Sequence, residues 1–214
     1  MASPPRAQQS ATRRHENPTR VPFEEFLASL QEGSWAEWVD GAVVPLAPAS
    51  ARHQRIALFL ASVLSEYVRA RDLDEVFQAP FVVRPPDPLA RAREPDLVFV
   101  RKDRLSLLRD TYLEGAPDLA VEITSPESLS RDRGEKFVEY EAAGIPEYWL
   151  IDPDRTQSEF YQLQRDGRYR SVPAGPEGIY RSSVVSGFWL RVEWLWRDPL
   201  PSALQVAREL GVDL

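Results

Sequence analysis

The sequence predicts an α/β (α+β) domain, a mixed β-sheet with helices packed on it. Three observations carry that expectation. Apolar residues recur at helical spacing in four segments, short apolar or alternating runs bounded by turn residues lie between them, and the 214 residues contain no internal repeat. A composition of 43% hydrophobic and 28% charged residues matches globular averages, which excludes wholesale disorder and fibrous repeats.

The elements follow in chain order. Residues 1–21 are rich in Pro, Ser, Gln and Arg without apolar periodicity, so a disordered arm is expected there and a single domain over 22–214. Phe23, Phe26, Leu27 and Leu30 have helical spacing and stop at Gly33. Asp40-Gly41 separates two apolar runs over 35–45, the favoured two-residue turn of a hairpin. Ile56, Leu60, Val63, Leu64, Tyr67 and Val68 line one face of a long helix over 51–71. Strands are expected at 75–83, 95–101 and 118–124, with a proline-rich loop at 85–93. Residues 130–144 form a helix that stops at Gly144 with Pro146 beyond it. EYWLID at 147–152 is a buried strand, 159–164 and 168–172 flank the turn Arg165-Asp166-Gly167, and short strands at 184–186 and 188–192 precede a last helix near 200–210.

Composition narrows the chemistry. Cys is absent, so disulfides, thiolate nucleophiles and Cys-held metals are excluded, and His15 and His53 alone cannot build a multi-His zinc site. A metal would be held by oxygen, which points to Mg²⁺ or Mn²⁺. The first 20 residues carry +3 (Arg6, Arg13, Arg14 and Arg20 against Glu16), leaving −10 for the rest of a chain of net −7. Such a protein does not coat nucleic acid by bulk electrostatics; it needs a local basic patch or recruited cations. Only two of the 26 basic residues are lysines, Lys102 and Lys136. The sequence has no apolar run long enough to cross a bilayer and no signal-peptide pattern at its start, so a cytoplasmic protein without a membrane segment is expected.

Asp96 follows Pro95 at the start of one expected strand, and Glu122 lies near the end of the next. Two carboxylates at adjacent strand ends repel unless one is protonated or a cation sits between them; two solvated acids are the alternative. Strand alternation puts Leu119 and Val121 on one face and Ala120, Glu122 and Thr124 on the other, among residues where an unpaired carboxylate costs several kcal/mol. Asp132, Lys136 and Tyr140 share one helix face at i, i+4, i+8. Lys136 is thus a partner for Glu122, or, on the plainer reading, half of a solvated helix pair with Asp132. Lys102, in Arg101-Lys-Asp-Arg104, reads as a solvated charge run.

Taken together, Gly115-Ala-Pro-Asp-Leu-Ala-Val-Glu-Ile-Thr-Ser-Pro-Glu-Ser128, then Asp132, Lys136, Tyr140, Ala143-Gly144-Ile145 and Glu147-Tyr-Trp-Leu-Ile-Asp152, resemble the signature of the Uma-type restriction endonuclease family, a bacterial branch of the PD-(D/E)XK nuclease superfamily. Glu37-Trp-Val-Asp-Gly41, His53 and Glu94-Pro-Asp-Leu-Val98 match upstream, so the resemblance spans about 22–196. It implies a restriction-endonuclease-like core with added N-terminal and C-terminal hairpins, and a metal-dependent endodeoxyribonuclease. Asp96, Glu122 and the Ile123 carbonyl would hold Mg²⁺, with Mn²⁺ as a substitute. The superfamily's lysine two residues past the acid is replaced here by Thr124, and the resemblance moves that lysine to Lys136. Glu37 takes the place of the family's upstream glutamate, near the metal through water. His53 takes that of the helix-start histidine, either a catalytic or phosphate contact or a packing residue. Tyr140 and Trp149 are expected in the core. DNA is the implied partner. A homodimer is a further expectation, since cutting both strands needs two sites, with Trp189, Trp194 and Trp196 as contact or core. The competing functions are an inactive nuclease-fold module that binds nucleic acid or protein, and a carboxylate-pair hydrolase acting on something other than nucleic acid.

Overall fold

The computed structural model describes residues 20–30, 35–86 and 91–213. Helix α1 (Phe23–Ser29) leads into the hairpin β1 (Ala36–Val39) and β2 (Ala42–Pro45), then α2 (Ala51–Ala70). Strands β3 (Asp74–Gln78), β4 (Val82–Arg84), β5 (Arg91–Ala92) and β6 (Leu97–Arg101) follow, then a 3-10 turn (Lys102–Leu107), β7 (Tyr112–Glu114) and β8 (Leu119–Ile123). Helix α3 (Leu129–Arg131) runs through a π-helical turn (Asp132–Lys136) into α4 (Phe137–Ala142). The rest is β9 (Glu147–Asp152), β10 (Gln157–Leu163), β11 (Tyr169–Ser171), β12 (Ile179–Arg181), β13 (Trp189–Arg191), a 3-10 turn (Val192–Trp196) and α5 (Ala203–Glu209).

Six strands form the central sheet in the order β11-β10-β9-β8-β6-β3. Only β8 and β9 run parallel, joined across α3–α4, and every other neighbouring pair is antiparallel. This is the expected mixed sheet flanked by helices. Alternation on β8 sends Leu119, Val121 and Ile123 to one face, into a core built with α2, α5 and the C-terminal segment. Ala120 lies on the other face with Tyr140, Ile145, Tyr148 and Leu150, beneath α4. Trp149 is fully buried on β9, where its indole Nε1 donates to Glu147 at 2.6 Å. Burying side chains of this size stabilises the fold by about 2–3 kcal/mol each.

Local chemistry explains the boundaries. Ser50 caps α2 by accepting from the His53 backbone N–H at 3.1 Å. Asp40 and Gly41 take φ of 50° and 86°, as the expected hairpin turn requires. Gly144, at φ 75°, ends α4.

Several expectations need correction. The strand expected at 75–83 is two strands: Pro80, which has no N–H to give a ladder, falls between them, and β4 pairs in parallel with the unforeseen β7 instead of continuing in the central sheet. The loop at 85–93 contains β5, which pairs with β1; residues 87–90 lie outside the described set. The helix over 130–144 carries a π turn. No strand forms at 184–186; β12 lies earlier, and the final helix starts only at Ala203, after Pro199 and Pro201. The arm expected at 1–21 lies outside the described residues except at its end, where the Val21 N–H donates to the Gly41 carbonyl at 2.8 Å and Val21 packs beside Phe23 and Trp38. Trp194 is buried, and Trp189 and Trp196 pack against the main core, so the contact reading of these tryptophans gives way to the core one.

Candidate active site

Five segments bring the site together at one end of the sheet: the start of β6, α2, β8, the π turn and α4. Asp96 stands just before β6, and its Oδ2 accepts from the Ile123 backbone N–H of the neighbouring β8 at 2.7 Å. Its Oδ1 lies 3.2 Å from His53 Nε2, which the first turn of α2 presents. Glu122 projects from the opposite face of β8 to Leu119 and Val121, toward the π turn. There its Oε1 accepts from Lys136 Nζ at 2.8 Å and from the Tyr140 hydroxyl at 2.7 Å.

Lys136 is 2% exposed and surrounded by carboxylates: besides Glu122, Glu37 Oε1 is 2.9 Å away and Asp132 Oδ1 is 3.4 Å away. Glu37, on β1 and wholly buried, is held from behind by Arg93, whose Nη1 donates to Oε2 at 2.8 Å. Arg93 forks onto Glu139 with Nε and Nη2, both at 2.7 Å. A continuous ionic chain therefore runs Glu139–Arg93–Glu37–Lys136–Glu122, tying the N-terminal hairpin to α4 and β8.

The electrostatics follow from burial and crowding. Burial, opposed by Lys136 but reinforced by the Asp132, Asp96 and Glu37 carboxylates, pushes the Glu122 carboxyl up to about 8. Burial also pushes Glu94 up to about 7, with the Glu37 charge adding to it. Burial works the same way on Glu37, but the Lys136 and Arg93 cations outweigh it and lower this group to about 2. Burial disfavours the charged forms of Lys136 and His53, yet Glu122, Glu37 and Asp132 hold the ammonium above its usual range, and the Asp96 hydrogen bond raises His53. At Glu122 and Glu94 burial and neighbouring carboxylates outweigh the nearby cation.

Asp96, Glu122, Ile123, His53, Glu94 and Lys136 line a cleft of about 220 Å³ between the hairpin and α3. Among the described residues Glu94 Oε2 is buried without a hydrogen-bond partner, and Asp132 Oδ1 has only the Lys136 ammonium, 3.4 Å away. Among the described residues no three His, Asp or Glu side chains converge as a ready metal-ligand set. The donor chemistry nonetheless fits a hard divalent cation, since the Asp96 and Glu122 carboxylates line one acidic cleft that Ile123 also borders.

The sequence-predicted residues thus fall into one neighbourhood, with one distinction. Asp96, Glu122, Ile123, His53 and Lys136 border the cleft, whereas Glu37 does not; it supports Lys136 from behind. The solvated Asp132–Lys136 pair is overturned by the burial of both residues. Lys102 is exposed and paired with Asp72 at 2.6 Å, as a surface charge run suggests. Tyr140 is in the core as expected, but its hydroxyl reaches Glu122. Sequence reasoning missed Arg93 and Glu139. A fully buried arginine inside a proline-rich segment leaves no periodic signal, and Glu139 reads as an ordinary surface acid of a helix.

Comparison with known proteins bears on this arrangement. A profile of the Uma2 family, described as "Putative restriction endonuclease", matches residues 23–193. The chain belongs to the Uma2 family. Among solved structures, this Uma2 chain is similar to a crystal structure described as a "putative nuclease belonging to DUF820" from Anabaena variabilis. The two share 19% identity at a TM-score of 0.68, over 82% of this chain and 97% of that one. That likeness shows a shared fold. No curated protein matches. Among the described residues of this Uma2 protein, no helix is long and apolar enough to cross a membrane.

Proposed function

We propose that this Uma2 protein is a divalent-cation-dependent endonuclease that hydrolyses phosphodiester bonds in DNA. The observation that carries the reading is the junction of Asp96, Glu122 and Lys136 at one cleft, an acidic pair on adjacent strands with a buried ammonium 2.8 Å from the second acid. Asp96, Glu122 and the Ile123 carbonyl would hold Mg²⁺ or Mn²⁺, which supplies Lewis acidity toward phosphate and a more acidic bound water. The chain's own groups do the rest. Lys136, fixed by Glu37 and Asp132, holds Glu122 in one orientation and places positive charge beside the cleft, where charge grows on the phosphate. His53 fixes the Asp96 carboxylate through Oδ1 while the Ile123 N–H fixes Oδ2, so neither oxygen swings. That double occupation also favours the second reading, an inactive module that binds nucleic acid or protein.

Cleavage separates the two. Purified protein is expected to nick or linearise plasmid DNA with Mg²⁺ and not with EDTA, and Asp96→Asn to slow it by on the order of 100-fold. Absence of metal-dependent cleavage, or an Asp96→Asn protein as fast as wild type, would sink the nuclease reading.

A further inference from the structure

Lys136 cannot by itself receive a phosphodiester. Its ammonium has carboxylate neighbours at 2.8, 2.9 and 3.4 Å and its side chain is only 3% exposed. A phosphate entering the cleft meets Glu94, Asp96, Glu122 and Asp132 along the walls and needs another cation. Among the described residues, apart from Lys136 and the His53 imidazole, which is bound to Asp96, one cationic side chain lines the cleft: Arg131, the last residue of α3.

Arg131 is placed unlike the other arginines around it. Arg91 and Arg93 spend their guanidinium groups on Asp40, Glu37 and Glu139, and Arg133 spends its own on Glu159 and Gln157. Arg131 donates no hydrogen bond to any described residue. Its nearest acid is Glu37, whose Oε2 is 3.7 Å from Nε, beyond hydrogen-bond range and already taken by Arg93 at 2.8 Å. Its Nε is buried without a partner, while the side chain as a whole is 26% exposed. A half-buried guanidinium with unspent donors at the mouth of an acidic cleft is built for an anion that arrives from solvent. Its planar fork matches two non-bridging oxygens of a phosphodiester, which a point-charge ammonium does not.

We propose that Arg131 is the substrate-phosphate contact of this site, gripping the nucleic-acid backbone at the cleft while Lys136 remains an internal partner of Glu122. The assignment rests on the nuclease reading for its substrate class, and its test does not need turnover. A labelled short DNA duplex is titrated with protein in Ca²⁺ in place of Mg²⁺, over a range of salt concentrations. Loss of one phosphate contact lowers the slope of log affinity against log salt by about 0.9. Arg131→Gln is expected to show that drop and roughly ten-fold weaker binding at moderate salt, with a melting temperature within about 2 °C of wild type. Arg131→Lys should keep the slope but bind less tightly. Arg133→Gln, whose parent side chain points to β10, should behave like wild type. A slope unchanged in Arg131→Gln overturns the proposal even if wild type cleaves. An Arg131-dependent slope in a protein that never cleaves would retain the contact and discard the nuclease reading. Absence of wild-type binding would remove both.

Discussion

Lys136 shows how a single residue's surroundings decide its role. Its positive charge compensates Glu37 and Glu122 where all three are almost wholly buried, so deleting it strands buried carboxylates. Lys136→Ala is therefore expected to lose about 3 kcal/mol of stability in urea denaturation, while Lys102→Ala, removing an exposed pair, stays within about 0.5 kcal/mol. Lys136→Arg keeps the charge, but a planar guanidinium does not fit where an ammonium sits 2.8 Å from Glu122, and cleavage should fall at least about ten-fold. Equal stability losses for the two alanine variants would show Lys136 to be a surface charge after all. Glu37 adds a pH signature. Its carboxyl titrates at about 2 in the fold and at 4.5 when free, so the ionised form favours the folded state. That stability is fully present above pH 4.5 and is lost as pH falls toward 2, an effect on the order of 3 kcal/mol. Melting curves across that window should show a shallower acid loss for Glu37→Gln than for wild type. Parallel acid profiles would contradict the pairing with Lys136 and Arg93.

At the scale of elements, the site depends on the N-terminal hairpin as much as on the central sheet. Strand β1 carries Glu37 and is held on one side by β2 and on the other by β5, next to Arg93. Gly41 makes the hairpin turn at φ 86°, and a Cβ added there would meet Arg20 Cβ at 3.0 Å. Gly41→Ala should cost about 1–2 kcal/mol by urea denaturation, and an unchanged midpoint would show that the turn tolerates an L side chain. The hairpin was legible because Asp-Gly between apolar runs is a local signal. So were α2, whose apolar face is continuous, and β9, a short run bounded by Pro146 and Pro153. β5 and β7 were not legible, since strands of two and three residues are stabilised by distant partners and not by their own pattern. The π turn also escaped, because i, i+4, i+8 spacing reads as a plain α-helix.

For the whole molecule, the proposed cation site would link metal binding to folding. A cation that binds only the folded chain stabilises it, by about 2.7 kcal/mol at a hundred-fold excess over its dissociation constant. Mg²⁺ should therefore raise the melting temperature of wild type by several degrees and that of Glu122→Gln much less; equal responses would remove Glu122 from the metal site. By itself the sequence determined the fold class and the family, and it singled out Asp96, Glu122 and a rare lysine as candidates, because each is written in local periodicity or in a motif of fixed spacing. Tertiary structure alone decided that Lys136 is buried among three acids, that Glu37 stands behind it, that Arg93 joins Glu37 to Glu139, and that Arg131 keeps its donors unspent. The reason is physical: a side chain's charge state and its free hydrogen-bonding capacity depend on what packs against it from elements dozens of residues away, and spacing along the chain carries no record of that.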